Sequence, residues 1–390
     1  MSRVTKWQII TLFVIIASIF AGCGSIETSA PPPATRSLPK ETSIPTIPPQ
    51  IVSGPLGKQL DDLILKENPL FSGTILVAQN GEVLLSKGYN YANWELKVPN
   101  SSQTKFRISS INKPITATLI MMLVERGIID LNSKLCAYFQ DCPEHWTDIS
   151  IRNLLNHTSG IPEYTTLVDA GVDSQLPHGV NSLIELFKDE PLNFSPGESY
   201  QYSNSNYVLL GAVIQVVTNT FYDNFLQQTL LIPLGMENSG IDDQQLVLDE
   251  RASGYEIIGR TLANAPYLNM TNAFATAGMY STVEDLFLWD QALYSNQLLG
   301  EESQEMMYTP SFGTDGSGGE YGLGWQLHEF QGHRIVGHTG RINGFRTYLG
   351  RYIDDGITII LLSNIETEEI MDIVNDIEMI LFNQDTSLGN

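Results

Sequence analysis

Basic residues are scarce in this chain: 21 lysines and arginines face 44 aspartates and glutamates in 390 residues, a formal charge of −23. A surface of that sign repels nucleic-acid phosphates, and no basic stripe overrides it, which argues against a nucleic-acid partner. Cysteine is nearly absent as well, with Cys23, Cys136 and Cys142 the full set. No Cys or His pair sits near them at zinc-ligand spacing. His328, His333 and His338 are five apart, so along a strand they alternate faces and do not converge on a metal. Neither a metal nor a cofactor is expected. Internal repeats are missing, and so is any apolar run that spans a bilayer. The longest, Trp7 to Ala21, would extend about 23 Å as a helix against a hydrocarbon core of about 30 Å. With 42% hydrophobic and only 17% charged residues, the chain has ample material for a sizeable core.

What the N-terminus does contain is Arg3 and Lys6 ahead of that short run, the layout of a secretory signal. Phe20-Ala21-Gly22-Cys23 resembles the processing site of bacterial lipoproteins, with Phe20 where leucine is usual. The resemblance implies a lipid on Cys23 and an extracytoplasmic protein anchored to the bacterial cell membrane. Plain secretion with an unmodified Cys23 is the alternative. Residues 1–22 thus read as the signal. Residues 23–54, rich in Ser, Thr and Pro, read as an extended tether that buries too little surface to fold. Loss of Arg3 and Lys6 with the signal would deepen the charge from −23 to −25. Export would permit a local disulfide between Cys136 and Cys142, which would add about 2 kcal/mol by restricting the unfolded chain.

The folded part, 55–386, begins with a helical pattern from Gln59 to Leu70. Two strand-like runs follow, Ser72–Ala78 and Glu82–Gly88, joined by the hairpin signal Gln79-Asn80-Gly81. Ile111 to Val124 is apolar almost all round, the mark of a buried helix, and Gly127 suits its end. From about 130 to 275 the chain reads as helical and loop-rich, with helices near 151–156, 180–187 and 206–218. Strands return at 322–329, 334–338, 345–350 and 356–363, and a helix closes the chain over 368–382. Strands at both ends with helices between them imply an α+β fold. Its antiparallel sheet is built from N- and C-terminal segments flanked by helices, with a mainly helical insertion.

Three short motifs carry chemistry. Ser-x-x-Lys occurs at Ser37, Ser102 and Ser110, but only Ser110 opens the buried helix. Ser110 and Lys113 then share a face, and a lysine buried there can lose its charge and take the serine's proton. The helix N-terminus favours a developing alkoxide, and Pro114 is tolerated in the first turn. Tyr-x-Asn occurs at several places, among them Tyr91, Tyr202 and Tyr294; the copy at Tyr202 follows a Pro-Gly turn and precedes an apolar helix, where a loop tyrosine can face a cleft. His338-Thr339-Gly340 occurs once, after a strand signal.

In this order the motifs resemble those of the penicillin-recognising serine hydrolases: class C β-lactamases, D-alanyl-D-alanine carboxypeptidases and related esterases. Ile151-Arg-Asn-Leu-Leu-Asn-His-Thr-Ser-Gly-Ile-Pro, Ala277-Gly-Met-Tyr-Ser-Thr-Val-Glu-Asp-Leu and Tyr321-Gly-Leu-Gly-Trp325 fit as well. The resemblance implies a serine β-lactamase-like fold, with Ser110, Lys113 and Tyr202 catalytic and the amides of Ser110 and Arg341 holding the oxyanion. It also implies that Asn204, His338, Thr339, Gly340 and Arg341 bind substrate, and that His157 holds a loop. Histidine at 338, where most such β-lactamases have lysine, points to the peptidase and esterase branches. The implied activity is an exported D-Ala-D-Ala carboxypeptidase or peptidase acting on peptidoglycan stem peptides. A carboxylesterase, a β-lactamase or a non-catalytic penicillin-binding sensor stand as alternatives, and the substrate is a small peptide, ester or β-lactam.

Overall fold

A computed structural model describes residues 50–169, 174–366 and 370–383. The expected signal (1–22), nearly all of the tether, and Cys23 lie outside these residues. Seven strands form the main sheet: β1 (Ile51–Val52), β2 (Gly73–Gln79), β3 (Glu82–Tyr89), β4 (Gln326–Phe330), β5 (His333–Ile342), β6 (Phe345–Tyr352) and β7 (Ile357–Ser363). Their spatial order is β1-β3-β2-β7-β6-β5-β4, and every pairing is antiparallel. The join between the two ends of the chain is β2 against β7, from Gly73↔Ser363 to Gln79↔Ile357. This is the sheet expected from the sequence.

Regular structure is already present ahead of the expected residue 55, since Ile51 and Val52 pair with Ser86 and Leu85 at the sheet edge. Helix α1 spans Gly54–Glu67 rather than 59–70, since proline suits its first turn and Asn68 ends it. The region 130–275 is mainly helical, as expected, but also holds short strands at Gly240–Ile241, Tyr255–Ile258 and Thr261–Asn264. Within it Cys136 and Cys142 are joined as a disulfide.

Strand β7 is buried along its whole length, and its alternation divides the core in two. Ile359 and Leu361 face one layer with Leu60 and Ile64 of α1, and with Ile373, Val374 and Ile377 of the last helix, Ile370–Phe382. Ile360 and Leu362 face the other. That larger layer holds α2 (Asn112–Glu125), α3 (Asn204–Thr218) and α4 (Val283–Tyr294). Residues 112–123 of α2 are all buried, which explains its lack of a polar face.

A buried ion pair fastens α4 to the sheet. Arg351 on β6 donates from Nε to Asp290 Oδ1 at 2.6 Å and from Nη1 to Tyr308 Oη at 2.7 Å. Thr358 on β7 donates to Asp290 Oδ2 at 2.7 Å, so both carboxylate oxygens are satisfied. Removing one partner strands a charge in the core. Arg351→Leu is expected to lower unfolding free energy by about 3–5 kcal/mol, and the double variant with Asp290→Leu by less, in urea titrations.

Candidate active site

Ser110 lies in a tight turn, Ser109–Ile111, that runs directly into α2. Ser109 carries φ +54° and is wholly buried, a left-handed conformation that costs a non-glycine residue about 1 kcal/mol or more. Neighbours enforce it. Gly340 on β5 passes so close that a Cβ there would stand 2.8 Å from Ser109 Cβ, 2.8 Å from the Ile108 carbonyl and 2.1 Å from Thr347 Oγ1. Thr347 in turn donates to the Ile108 carbonyl at 3.0 Å. Glycine at 340 is therefore what lets the strand press against the turn that aims Ser110.

Lys113 Nζ donates to Ser110 Oγ at 3.0 Å and to the Thr276 carbonyl at 3.2 Å. Its ammonium sits 5.0 Å from the Tyr202 ring centroid and 5.7 Å from that of Tyr207. Burial drives the Lys113 amine down to about 7, and the nearby Glu163 carboxylate partly resists. At neutral pH much of it is an uncharged amine, with a lone pair available to the serine proton. Burial pushes the Tyr202 phenol far above its ordinary value, and a hydrogen bond with Ser110 only partly offsets this. Tyr202 is a neutral hydroxyl here.

His338 is buried, and its ring is held at both nitrogens. Nδ1 lies 2.6 Å from the Thr339 carbonyl, so it carries the proton; Nε2 accepts from Tyr321 Oη at 3.1 Å. Burial, then the Lys113 charge, lowers His338 to about 3, so it supplies no cation. Thr339 donates from its amide and its hydroxyl to Gln326 Oε1, at 2.9 and 3.2 Å. Strand β4 pairs with β5 only from His333 to Gly337, so the edge from 338 onward is open. Strand amides alternate in direction, and the Arg341 amide therefore faces the same open edge as that of Thr339. The Arg341 side chain is mostly exposed and bound to Glu366.

Asn204 opens α3, but its side chain is engaged: Nδ2 donates to Glu163 Oε2 at 3.0 Å, and its backbone amide does so at 2.6 Å. His157 is wholly buried and takes up φ +60°. Its Nδ1 accepts from the Ser203 amide and Asn206 Nδ2, at 3.2 and 3.1 Å, and its ring packs 4.3 Å from that of Tyr202. It braces the loop that presents the phenol.

Of these groups, Ser110, Asn204, Thr276, Arg341 and Glu366 line a cavity of about 320 Å³, together with Tyr164 among others. Of the other copies named above, none among the described residues lines it. Ser37 lies outside the described residues, Ser102 is buried with its hydroxyl unpartnered among them, Tyr91 stands in a short strand, and Tyr294 packs on Arg351.

Beta-lactamase family sequence features match residues 64–381. The chain belongs to the beta-lactamase family. It is a serine hydrolase, similar to penicillin-binding protein 4* of Bacillus subtilis strain 168, with 33% identity over 337 residues covering 82% of this chain and 74% of that protein. The structure of the octameric penicillin-binding protein homologue from Pyrococcus abyssi aligns with TM-score 0.70 and 28% identity, over 79% of this chain and 73% of that one. D-amino acid amidase from Ochrobactrum anthropi shares the fold, with TM-score 0.75 and 23% identity over 86% and 100% of the two chains.

Within this beta-lactamase-family site, sequence reasoning missed Glu163, Tyr321, Gln326 and Thr276. Tyr321 lies in the quoted Tyr-Gly-Leu-Gly-Trp run, and Glu163 directly follows the quoted Ile161-Pro162. Their contacts cross between distant segments, which spacing does not register.

The pH dependence follows from Lys113. Fluorophosphonate labelling of Ser110 is expected to rise with pH through an apparent pKa near 7 and level off above it. Glu163→Gln removes the charge that favours the ammonium, so the rise should move to lower pH. Because the unfolded chain keeps that lysine protonated up to about 10.4, its burial costs stability fully below pH 7, and the cost falls as pH rises.

Proposed function

We propose that the protein is an exported serine hydrolase working through an acyl-enzyme on Ser110, of the D-alanyl-D-alanine carboxypeptidase or peptidase type. The observation that carries this reading is the 3.0 Å contact between Ser110 Oγ and an amine brought to about 7 by burial. Ser110 Oγ attacks the carbonyl carbon as its proton passes to Lys113 Nζ. The oxyanion is held by the Ser110 and Arg341 amides, each such donor being worth about 3 kcal/mol. On collapse, Tyr202 hands its proton to the leaving amine and recovers one from Lys113. Water then attacks the ester, giving its proton to this pair, and Ser110 leaves with one returned. Asn204 and Thr339 orient the substrate, with Glu163 and Gln326 fixing their side chains.

Relatives named for penicillin binding support β-lactams and peptides as substrates. Peptidoglycan stem peptides are the proposed physiological class, reached from a membrane anchor at Cys23. No helix among the described residues is long and apolar enough to cross a membrane. A second reading, carboxylesterase, is favoured by one observation: His338 is neutral and Arg341 is already bound to Glu366, so neither offers a free cation to a substrate carboxylate.

The test is parallel turnover of a D-Ala-D-Ala peptide, a short p-nitrophenyl ester and a chromogenic cephalosporin. Ser110→Ala is expected to abolish all three, and Lys113→Ala or Tyr202→Phe to cost about 10²–10⁴ in kcat/KM. The substrate turned over best separates peptidase, esterase and β-lactamase. Fluorescent-penicillin labelling that survives in Ser110→Ala overturns the nucleophile.

A further inference from the structure

Beside the catalytic cavity lies a second one, of about 250 Å³, and the two share Leu268 and Asn343 in their walls. Its charged lining is unusual for so acidic a chain: Lys105, Arg107 and Arg251 against a single acid, Asp242. Arg107 donates from Nε to Asp242 Oδ2 at 2.8 Å, and Arg251 Nη2 lies 2.9 Å from Oδ1. The Asp242 side chain is 1% exposed, so one buried carboxylate is shared by two guanidinium groups. Arg251 also donates to the Asp243 carbonyl, and Lys105 to the Asp249 carbonyl. Buried Arg251 Nε has no hydrogen-bond partner among the described residues. Arg107 keeps its guanidinium over the Phe345 ring at 5.6 Å.

An ion pair built only to hold the strand would need one arginine. The second arginine and the lysine leave the lining two positive charges in excess, with planar N–H donors suited to an oxyanion. Arg107 precedes Ser110 by three residues, which limits their Cα separation to about 11 Å. The shared walls put a group bound there within reach of a small substrate whose carbonyl lies at Ser110.

We propose that this pocket is an anion subsite of the hydrolase, taking a carboxylate or phosphate that the substrate carries away from its scissile bond. The proposal rests on the serine-hydrolase reading and adds a substrate feature to it: a second, anionic recognition point. Substrate and free oxyanion compete for the same guanidinium groups, while the chain's overall negative charge disfavours anions elsewhere on its surface.

The test compares p-nitrophenyl glutarate with p-nitrophenyl pentanoate, esters that differ in one terminal carboxylate, together with inorganic phosphate at constant ionic strength set by chloride. In the intact protein phosphate should inhibit the glutarate ester competitively. In Arg251→Gln the ratio of kcat/KM for glutarate over pentanoate should fall about tenfold or more, through KM. Phosphate inhibition should weaken in parallel. Where Arg251→Gln fails to fold, Lys105→Gln removes one of the two excess charges without stranding Asp242 and gives the same readout. An unchanged ratio in a folded variant, or inhibition by chloride equal to that by phosphate, overturns the subsite and leaves the cluster as an ion-pair brace. If neither ester is turned over, phosphate binding followed by calorimetry in the intact protein and the variant decides the subsite separately from the hydrolase reading. Binding lost in the variant supports it; equal or absent binding ends it.

Discussion

Keeping an amine dry is the constraint around which the site is organised. A lysine in water holds its proton to about 10.4, and only withdrawal from solvent brings it near neutrality. Lys113 achieves this by its place on α2, wholly buried, with the Tyr202 and Tyr207 rings as its walls. His338 and His157 share the same enclosure, and burial keeps both neutral. A second cation there would repel the Lys113 ammonium and deepen its shift, while the Glu163 carboxylate opposes it. The charge state of Lys113 is thus set by a balance between exclusion of water and one nearby acid.

Holding that enclosure requires two parts of the molecule to meet without a gap. The turn at Ser109 is strained, and it persists because β5 lies against it at Gly340 and Thr347 caps the Ile108 carbonyl. Strand β5 is itself held in the sheet by β6 from Ile335 to Ile342, and β6 is fastened to α4 through Arg351 and Asp290. Tertiary packing, rather than local preference, fixes the direction of Ser110.

Much of this was legible in the sequence. The antiparallel sheet joining both chain ends followed from strand-like runs at 72–88 and 322–363, and the burial of α2 from its nearly unbroken apolar composition. The contact between Ser110 and Lys113 was legible because a separation of three residues across a turn and a helix start is a local relation. Less visible were contacts between segments far apart: Tyr321 with His338, Gln326 with Thr339, Glu163 with Asn204. Helix boundaries shifted by several residues where capping decided the end, as at Pro55 and Asn68. The short strands inside the helical region have little hydrophobic alternation, since Ile257 and Ile258 are exposed.

Strand β7 separates two apolar layers, odd-numbered isoleucine and leucine side chains on one side and even-numbered ones on the other. Its reading frame therefore matters more than its composition. Inserting one residue near Ile359 would exchange every later side chain between compartments of different shape, although each would remain hydrophobic. A change of chain length is consequently borne by the connections rather than by this strand, while substitutions of similar volume within it cost little.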